Sequence, residues 1–124
     1  MKTIPTSKKY YLINAVYQWC VDSSYSPCIL VIVDKNVKVP VKFVEDDNCI
    51  LLDISPEFVR DFELTKSYIS FYAMFDDVEH NVFVPIGNIL EIYAAENEEG
   101  MEFAFEETPG IADTVRKSKL KIVK

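Results

Sequence analysis

His80 and its neighbour Glu79 are the residues of this chain best suited to acid–base chemistry. His80 is the only histidine among the 124 residues, and imidazole is the side chain that exchanges a proton most readily near neutral pH. A hydrolytic site also needs a nucleophile and an orienting acid, and the sequence has no GxSxG, HExxH or phosphate-loop pattern. We therefore interpret His80 as a surface residue at a strand end, and we expect no enzymatic activity.

Carboxylate pairs and thiols are the other candidates for chemistry. Asp46-Asp47 and Asp76-Asp77 would hold a hard cation only if their two turns met in space, and paired acids in turns are usually solvated. Cys20, Cys28 and Cys49 form no CxxC spacing, so we predict buried free thiols in a reducing compartment. We expect neither a metal site nor a cofactor.

The charge of the chain is divided between a long acidic part and a short basic end. The net charge is −7; residues 111–124 carry five basic residues against Asp113, so residues 1–110 carry the remaining −11. An acidic domain repels phosphates, which argues against nucleic acid as a partner. The longest apolar run, 28–33, is too short to cross a bilayer, and the N-terminal residues lack the apolar block of a secretory signal. We expect a cytoplasmic protein with no membrane partner.

The basic end of the chain is a peptide, residues 119–124, in which lysines flank Leu120, Ile122 and Val123. The preceding residues, 106–118, include Pro109 and Gly110 and too little apolar surface to offset the entropy of ordering, which predicts a flexible linker. A tethered peptide of this composition favours docking on a second protein. We predict a folded domain over 1–105, a linker over 106–118 and a docking peptide over 119–124.

A helix is predicted over residues 8–21, because apolar residues recur there at steps of three and four. One face carries Leu12, Ala15, Val16 and Trp19. A second apolar stripe consists of Ile13, Tyr17 and Cys20. The narrow strip that remains is polar: Lys9, Asn14, Gln18 and Asp22. One apolar face would pack on the protein's own sheet, and we favour a two-fold dimer contact for the other, with burial of both faces inside one domain as the alternative.

After Pro27 the hydrophobic period changes to two, and the chain predicts about six short strands in hairpin order. The extended runs are 28–33, 37–43, 49–54, 68–75, 81–85 and 89–95, with a last piece at 101–105. Residues 34–36 are interpreted as a hairpin turn between the first two runs, and 55–65 as a looser stretch. The pattern predicts an α+β, mainly β fold: an N-terminal helix packed on a bent antiparallel sheet or a small half-open, Sm-like barrel, followed by a disordered C-terminal tail.

The run at 68–75 has apolar residues on both faces. Ile69, Phe71, Ala73 and Phe75 share one face, and Tyr68, Tyr72 and Met74 share the other. Such a strand is covered on both sides or lines a groove, and the break at 55–58 leaves room for an extended peptide between strand and loop. The pattern leaves two interpretations open: a peptide groove, or packing of Tyr72 and Met74 beneath the helix.

Short motifs follow one another in a fixed order along nearly the whole chain. They are Tyr11-Leu12 with Ala15, Tyr17, Trp19 and Asp22; Pro27; Val37-x-Val39-Pro40-Val41; Ile50-x-Leu52; Phe71-x-Ala73-x-Phe75; Pro85; Ile92-Tyr93-Ala94-x-Glu96-Asn97; Gly100-Met101-x-Phe103; and Leu120-Lys121-Ile122-Val123-Lys124. In this order they resemble the stringent starvation protein B family, the SspB adaptors of the ClpXP protease.

The resemblance implies a homodimeric adaptor without catalytic residues. It implies that the domain holds the ssrA degradation tag of polypeptides from stalled ribosomes, and that the tail docks on the N-terminal domain of the ClpX unfoldase. The family's tag-binding positions correspond here to Ser55, Pro56, Glu57, Phe58, Tyr72, Ala73, Met74 and Phe75. The dimer contact corresponds to Tyr11, Leu12, Ala15, Val16 and Trp19, and the docking peptide to Leu120, Lys121, Ile122, Val123 and Lys124.

The chain departs from the family pattern inside this groove. Met74 stands where relatives carry an arginine, Tyr72 where they carry an asparagine, and residues 58–61 where they carry small residues and glycine. The lost arginine removes a bidentate donor to a carboxylate or to backbone. A small-barrel RNA-binding module is the alternative function, because bent barrels often bind RNA, but the −11 charge of the domain argues against it.

Overall fold

The computed structural model describes residues 7–111, which contain one α-helix of several turns and seven strands. The helix α1 spans Lys9–Asp22, within one residue of the predicted range 8–21. The strands are β1 Pro27–Ile32, β2 Cys49–Asp53, β3 Val59–Leu64, β4 Tyr68–Phe75, β5 Val78–Pro85, β6 Ile89–Ala94 and β7 Gly100–Glu102. Short 3-10 helices lie at Val41–Phe43 and Ile86–Asn88.

The strands form two antiparallel sheets that do not close on each other. The four-stranded sheet has the order β2-β1-β6-β7, and the three-stranded sheet has the order β3-β4-β5. The connection between β1 and β2 reaches the three-stranded sheet at Lys38, whose backbone exchanges hydrogen bonds of 2.8 and 2.9 Å with that of Phe83 in β5. The predicted mainly β fold with a half-open arrangement is confirmed, while the predicted C-terminal tail lies outside the described residues.

The core lies between α1 and the two sheets. Ile13, Tyr17 and Cys20, the second apolar stripe of the helix, are buried against it. The ring of Tyr17 stacks on that of Phe62 with centroids 5.0 Å apart, so the helix also contacts the three-stranded sheet. Ile69 and the other inner residues of β4 and β5 complete the core. The three cysteines are buried and free, as predicted.

The expected hairpin between runs 28–33 and 37–43 is wrong. β1 pairs instead with β2 and β6, and residues 37–43 contribute only the Lys38 bridge and a 3-10 helix. Pro40, which has no N–H to donate, directly precedes that helix and prevents the ladder from continuing. The turn at Asp34 does form, since its carbonyl accepts from the Val37 N–H at 3.1 Å, but the chain then crosses to the other sheet.

The stretch expected to be loose, 55–65, contains a complete strand, β3, that pairs with β4. A bulge between Arg60 and Glu63 shifts the register there, and Asp61 takes a positive φ of 54°. Because a bulge interrupts alternation, the period-two signal is lost. The last extended piece is also shorter than expected, since β7 ends at Glu102.

Candidate functional site

The end of β4 near its turn to β5 brings most of the predicted tag-binding residues together, but on two faces of the three-stranded sheet. Tyr72 and Met74 lie on the face away from the core, which we call the outer face; Ala73 and Phe75 lie on the inner face. Met74 is 59 % exposed and Tyr72 is half-buried. Neither packs beneath α1, so the covered-strand interpretation of these two residues does not hold.

The neighbouring strand β3 supplies the next part of this surface. Val59 pairs with Ala73 and Arg60 with Tyr72, which places Phe58, one residue before the strand, beside Met74. Phe58 is 60 % exposed. Two large apolar side chains therefore stand next to each other in solvent, an arrangement typical of a surface that binds another protein or a peptide.

The loop that precedes β3 is held by a buried serine. Ser55 is fully buried, and its N–H and hydroxyl both donate to Oδ1 of Asp53, at 2.9 and 2.5 Å. The Phe58 N–H donates to the Ser55 carbonyl at 2.9 Å and closes a turn that leaves Pro56 and Glu57 exposed. Ser55 therefore positions the loop, and Pro56, Glu57 and Phe58 are the residues that a ligand can reach.

Arg60 is a part of this surface that sequence reasoning missed. Its Nε and Nη2 donate to the two carboxylate oxygens of Glu79 at 3.1 and 2.9 Å, and Nη1 donates to Asp61 at 2.7 Å. The guanidinium lies over the Tyr72 ring, 4.5 Å from its centroid. Arg60 thus spans from β3 across β4 to β5. Its signal was weak because it lies in the bulged strand that reads as a loop.

The charge states of Arg60 and Glu79 follow from the hydrogen bonds between them. The bidentate bond from Arg60 holds the pKa of Glu79 below its usual value, and the same bond raises the pKa of the Arg60 guanidinium. Both groups are therefore charged at any pH near neutrality. We define the outer-face cluster as Phe58, Arg60, Tyr72, Met74 and Glu79.

The inner face of the same strand end is half-buried and aromatic. The Phe75 ring lies 5.3 Å from that of Phe43 and 5.6 Å from that of His80, centroid to centroid. His80 was interpreted as a surface residue at a strand end, but it is half-buried, lies at the third position of β5 and faces inward. Glu79 faces outward to Arg60, so the two do not form an acid–base pair. Within residues 7–111 no three His, Cys, Asp or Glu side chains meet in a way that could hold a metal ion.

The helix face that was predicted to form the dimer contact is largely uncovered. Tyr11 is 48 % and Trp19 38 % exposed, Ala15 is exposed, and Leu12 and Val16 are half-buried. Trp19 contacts the ring of Tyr25 edge-on, with centroids 5.4 Å apart. An exposed apolar helix face is typical of a surface that contacts another protein.

The C-terminal part of the described chain, residues 103–111, crosses the start of α1; we call it the strap. Lys9, which the sequence places on a polar strip of the helix, is only 2 % exposed, and it anchors the strap. Its ammonium donates to the carbonyls of Gly87 at 3.0 Å and Ala104 at 2.7 Å and lies 5.4 Å from the Phe103 ring centroid. Burial lowers the pKa of Lys9 to about 8, although the Glu106 carboxylate opposes that change.

Further contacts hold the strap up to its last described residue. The Glu106 N–H donates to the Gly87 carbonyl at 3.0 Å, the Gly87 N–H donates to Thr108 Oγ1 at 2.8 Å, and Ile111 is buried. Within the predicted linker, Glu106, Thr108 and Ile111 thus contact the domain. The docking peptide, Leu120, Lys121, Ile122, Val123 and Lys124, lies outside the described residues.

Comparison with known proteins assigns a family to this fold and surface. A profile of the family described as "Stringent starvation protein B" matches residues 7–121. A protein of Haemophilus influenzae named "Stringent starvation protein B homolog" is 39 % identical over 101 residues, which cover 81 % of this chain and 67 % of that protein. The chain belongs to the stringent starvation protein B family. Among the described residues, no helix is both long enough and apolar enough to span a membrane.

Proposed function

We propose that the protein is a cytoplasmic, non-enzymatic adaptor that binds ssrA-type degradation tags and delivers tagged polypeptides to the ClpX unfoldase of the ClpXP protease. The observation that carries this proposal is the family match over residues 7–121, which spans the domain, the predicted linker and the first three residues of the docking peptide. No cofactor takes part in this role, because an adaptor holds its cargo and leaves the chemistry to the protease.

The tag binds at the end of β4, in contact with the loop residues Pro56, Glu57 and Phe58. Exposed Phe58 and Met74 support this placement, because a short extended peptide gains affinity from a few apolar contacts beside main-chain hydrogen bonds. Ala73 and Phe75 approach the site from the inner side of the same strand.

The tail docks on the N-terminal domain of ClpX through Leu120, Ile122 and Val123, while its lysines favour encounter with an acidic partner. Seven residues, 112–118, separate the last described anchor, Ile111, from the docking peptide. A seven-residue connection spans at most ~25 Å when fully extended. Holding cargo and unfoldase on one molecule makes delivery effectively intramolecular, which raises the local concentration of cargo at the unfoldase.

The adaptor acts as a homodimer, with Tyr11, Leu12, Ala15, Val16 and Trp19 at the contact between two copies of α1. The exposed apolar face of the helix supports this arrangement. Two tails on one dimer would strengthen the weak docking of each. Trp19→Ala is expected to give monomers in analytical ultracentrifugation, whereas a dimer of unchanged affinity would place the contact elsewhere.

Removal of residues 119–124 tests the proposal directly. The truncated protein should bind a labelled tag peptide as the full chain does, yet it should no longer accelerate degradation of a tagged substrate by ClpXP. A second variant exchanges Leu120, Ile122 and Val123 for serine and keeps the lysines, which separates the apolar contacts of the tail from its charge. If the truncated protein still accelerates proteolysis, the tail is not the docking element.

A further inference from the structure

The hydrogen bonds of Arg60 within the outer-face cluster limit what else its guanidinium can bind. Arg60 uses Nε and Nη2 on Glu79 and Nη1 on Asp61, and it rests on the Tyr72 ring. A guanidinium has five N–H donors in a fixed fork, and a bidentate bond uses the pair best suited to a carboxylate. A carboxylate on an incoming peptide would therefore have to displace Glu79 or approach two carboxylates that are already present.

Carboxylates outnumber cations around this cluster. Those at or beside it are Glu57, Asp61, Glu63, Asp76, Asp77 and Glu79, and the cations are Arg60, Lys42 and Lys38. Lys42 forms an ion pair with Asp76 at 2.8 Å, and the half-buried Lys38 ammonium donates to the Asn81 side chain at 3.2 Å. The electrostatic potential at this end of the three-stranded sheet is therefore negative.

Two of these carboxylates remain available next to the exposed apolar pair. Across residues 7–111 the ion pairs involve Lys42–Asp76, Arg60–Asp61 and Arg60–Glu79, so neither Glu57 nor Asp77 has a cationic partner there. Glu57 precedes Phe58 in the chain, and Asp77 lies in the two-residue turn between β4 and β5, at the strand end that carries Met74. An apolar surface is thus bordered by unpaired negative charge.

We propose that this site takes a peptide that carries a lysine or arginine beside an apolar side chain, and that it selects against peptides with a carboxylate at that position. Phe58 and Met74 contact the apolar side chain, and Glu57 and Asp77 attract the cation. The Arg60–Glu79 pair is the reason for the selection, because it presents a guanidinium that is already neutralised. This inference rests on the proposed peptide-binding function and deepens it.

The test uses the full chain and three labelled tag peptides. They differ at one residue beside an apolar residue, and this varied residue is lysine, glutamine or glutamate. Fluorescence anisotropy at low salt should show the lysine peptide binding tightest and the glutamate peptide weakest. The expected span is about tenfold, roughly threefold for each step, as for exposed charge interactions. High salt should reduce the span toward unity.

Glu79→Gln separates the ion pair from the general charge of the domain. This variant frees the Arg60 fork, so the glutamate peptide should bind several-fold tighter than to the unmodified chain, while the lysine peptide should bind more weakly. The control Glu102→Gln makes the same charge change on β7 of the other sheet and should leave the order of the three peptides unchanged.

The possible results separate the charge selection, the role of the Arg60–Glu79 pair and the proposed tag-binding function. Equal binding of the three peptides, or tightest binding of the glutamate peptide, would refute the charge selection and leave the proposed tag-binding function standing. A Glu79→Gln variant that behaves like Glu102→Gln would refute the role of the Arg60–Glu79 pair. Failure of all three peptides to bind would overturn the proposed tag-binding function and this inference with it.

Discussion

Lys9 and Arg60 are two cations that the same fold holds in opposite ways. Lys9 is buried and donates to two backbone carbonyls, and through them it fixes the strap to the start of α1. Arg60 is exposed and bonded to carboxylates on a sheet face bordered by apolar side chains. The difference indicates that the strap region serves stability while the outer-face cluster is open to partners. Substitutions in the first region should cost folding free energy, and those in the second should cost peptide affinity.

The largest effect is expected at Gly87, where the strap lies closest to the domain. A Cβ added there would come 1.8 Å from the Glu106 carbonyl oxygen, so the backbone of the strap would have to move. Gly87→Ala should lower the free energy of unfolding by about 2–3 kcal/mol, as overpacking of a tight contact does. Urea denaturation measures the change. An unaltered midpoint would show that the strap contributes nothing to stability.

Lys9→Met should have the next largest effect on stability. It removes two charge-assisted hydrogen bonds, one to the Ala104 carbonyl and one to the Gly87 carbonyl, which keeps the Glu106 N–H as a donor. Because a hydrogen bond to a charged group contributes about 1.5–3 kcal/mol, the loss should lie in that range. The control Lys8→Met removes the same charge from an exposed neighbour and should change stability by less than about 0.5 kcal/mol. Equal losses in the two variants would show that charge, and not burial, is responsible.

The titration of Lys9 should make the stability difference between the unmodified chain and Lys9→Met depend on pH. Its pKa is lowered to about 8 in the folded protein from 10.5, so between these two pH values the unfolded chain binds a proton that the folded chain does not. Lys9 therefore makes stability rise with pH across that window, and it has no effect on the slope below it. The measurable quantity is the stability of the unmodified chain minus that of Lys9→Met, because raised tyrosine and cysteine pKa values act in the opposite direction in both proteins. A flat difference from pH 8 to 10 would contradict the low pKa.

At the proposed tag-binding site, Ala73→Gln should weaken tag binding by about tenfold, or about 1.4 kcal/mol, without unfolding the domain. Ala73 is half-buried on the inner side of β4 and is paired with Val59 and His80, so a longer side chain would crowd the strand end that is proposed to hold the tag. The control Ala95→Gln places the same side chain at an exposed position after β6. Unchanged tag affinity in Ala73→Gln would move the site away from the end of β4.

The smallest effect on stability is expected at Met74, whose side chain is largely in solvent. Met74→Ala should change the free energy of unfolding by less than about 0.5 kcal/mol, while it should reduce tag affinity a few-fold. Urea denaturation and fluorescence anisotropy on the same preparation provide both numbers. A clear loss of stability with full affinity would reverse the contrast between the two regions.

The elements with regular periodicity were predictable from sequence. The 3.6-residue period located α1, and the alternation of Ile69, Phe71 and Phe75 located β4 and its inward face, because burial of one face imposes these patterns. The pattern failed where a local feature interrupts it. Pro40 removed a donor from the expected second strand, and the bulge at Asp61 hid β3.

The candidate site was predictable only in part for the same reason. Phe58, Tyr72 and Met74 were identified, but Arg60 and Glu79 come from two strands, one of them hidden, and nothing local in the sequence shows that they meet across β4. Lys9 shows the opposite failure. Spacing places it on a polar strip of the helix, but a segment 95 positions further along the chain covers its side chain, while Gln18 and Asp22 of the same strip stay exposed.

Mapping of the tag peptide by NMR tests the central claim most directly, namely that the end of the three-stranded sheet binds the cargo. On addition of unlabelled tag peptide to the isotope-labelled full chain, the largest amide shift changes should occur at Phe58, Arg60, Met74 and Glu79 and in the loop before β3. The strap and the anchor at Lys9 should remain unperturbed. Shift changes concentrated on the strap or on the exposed face of α1, with the outer-face cluster silent, would contradict the account.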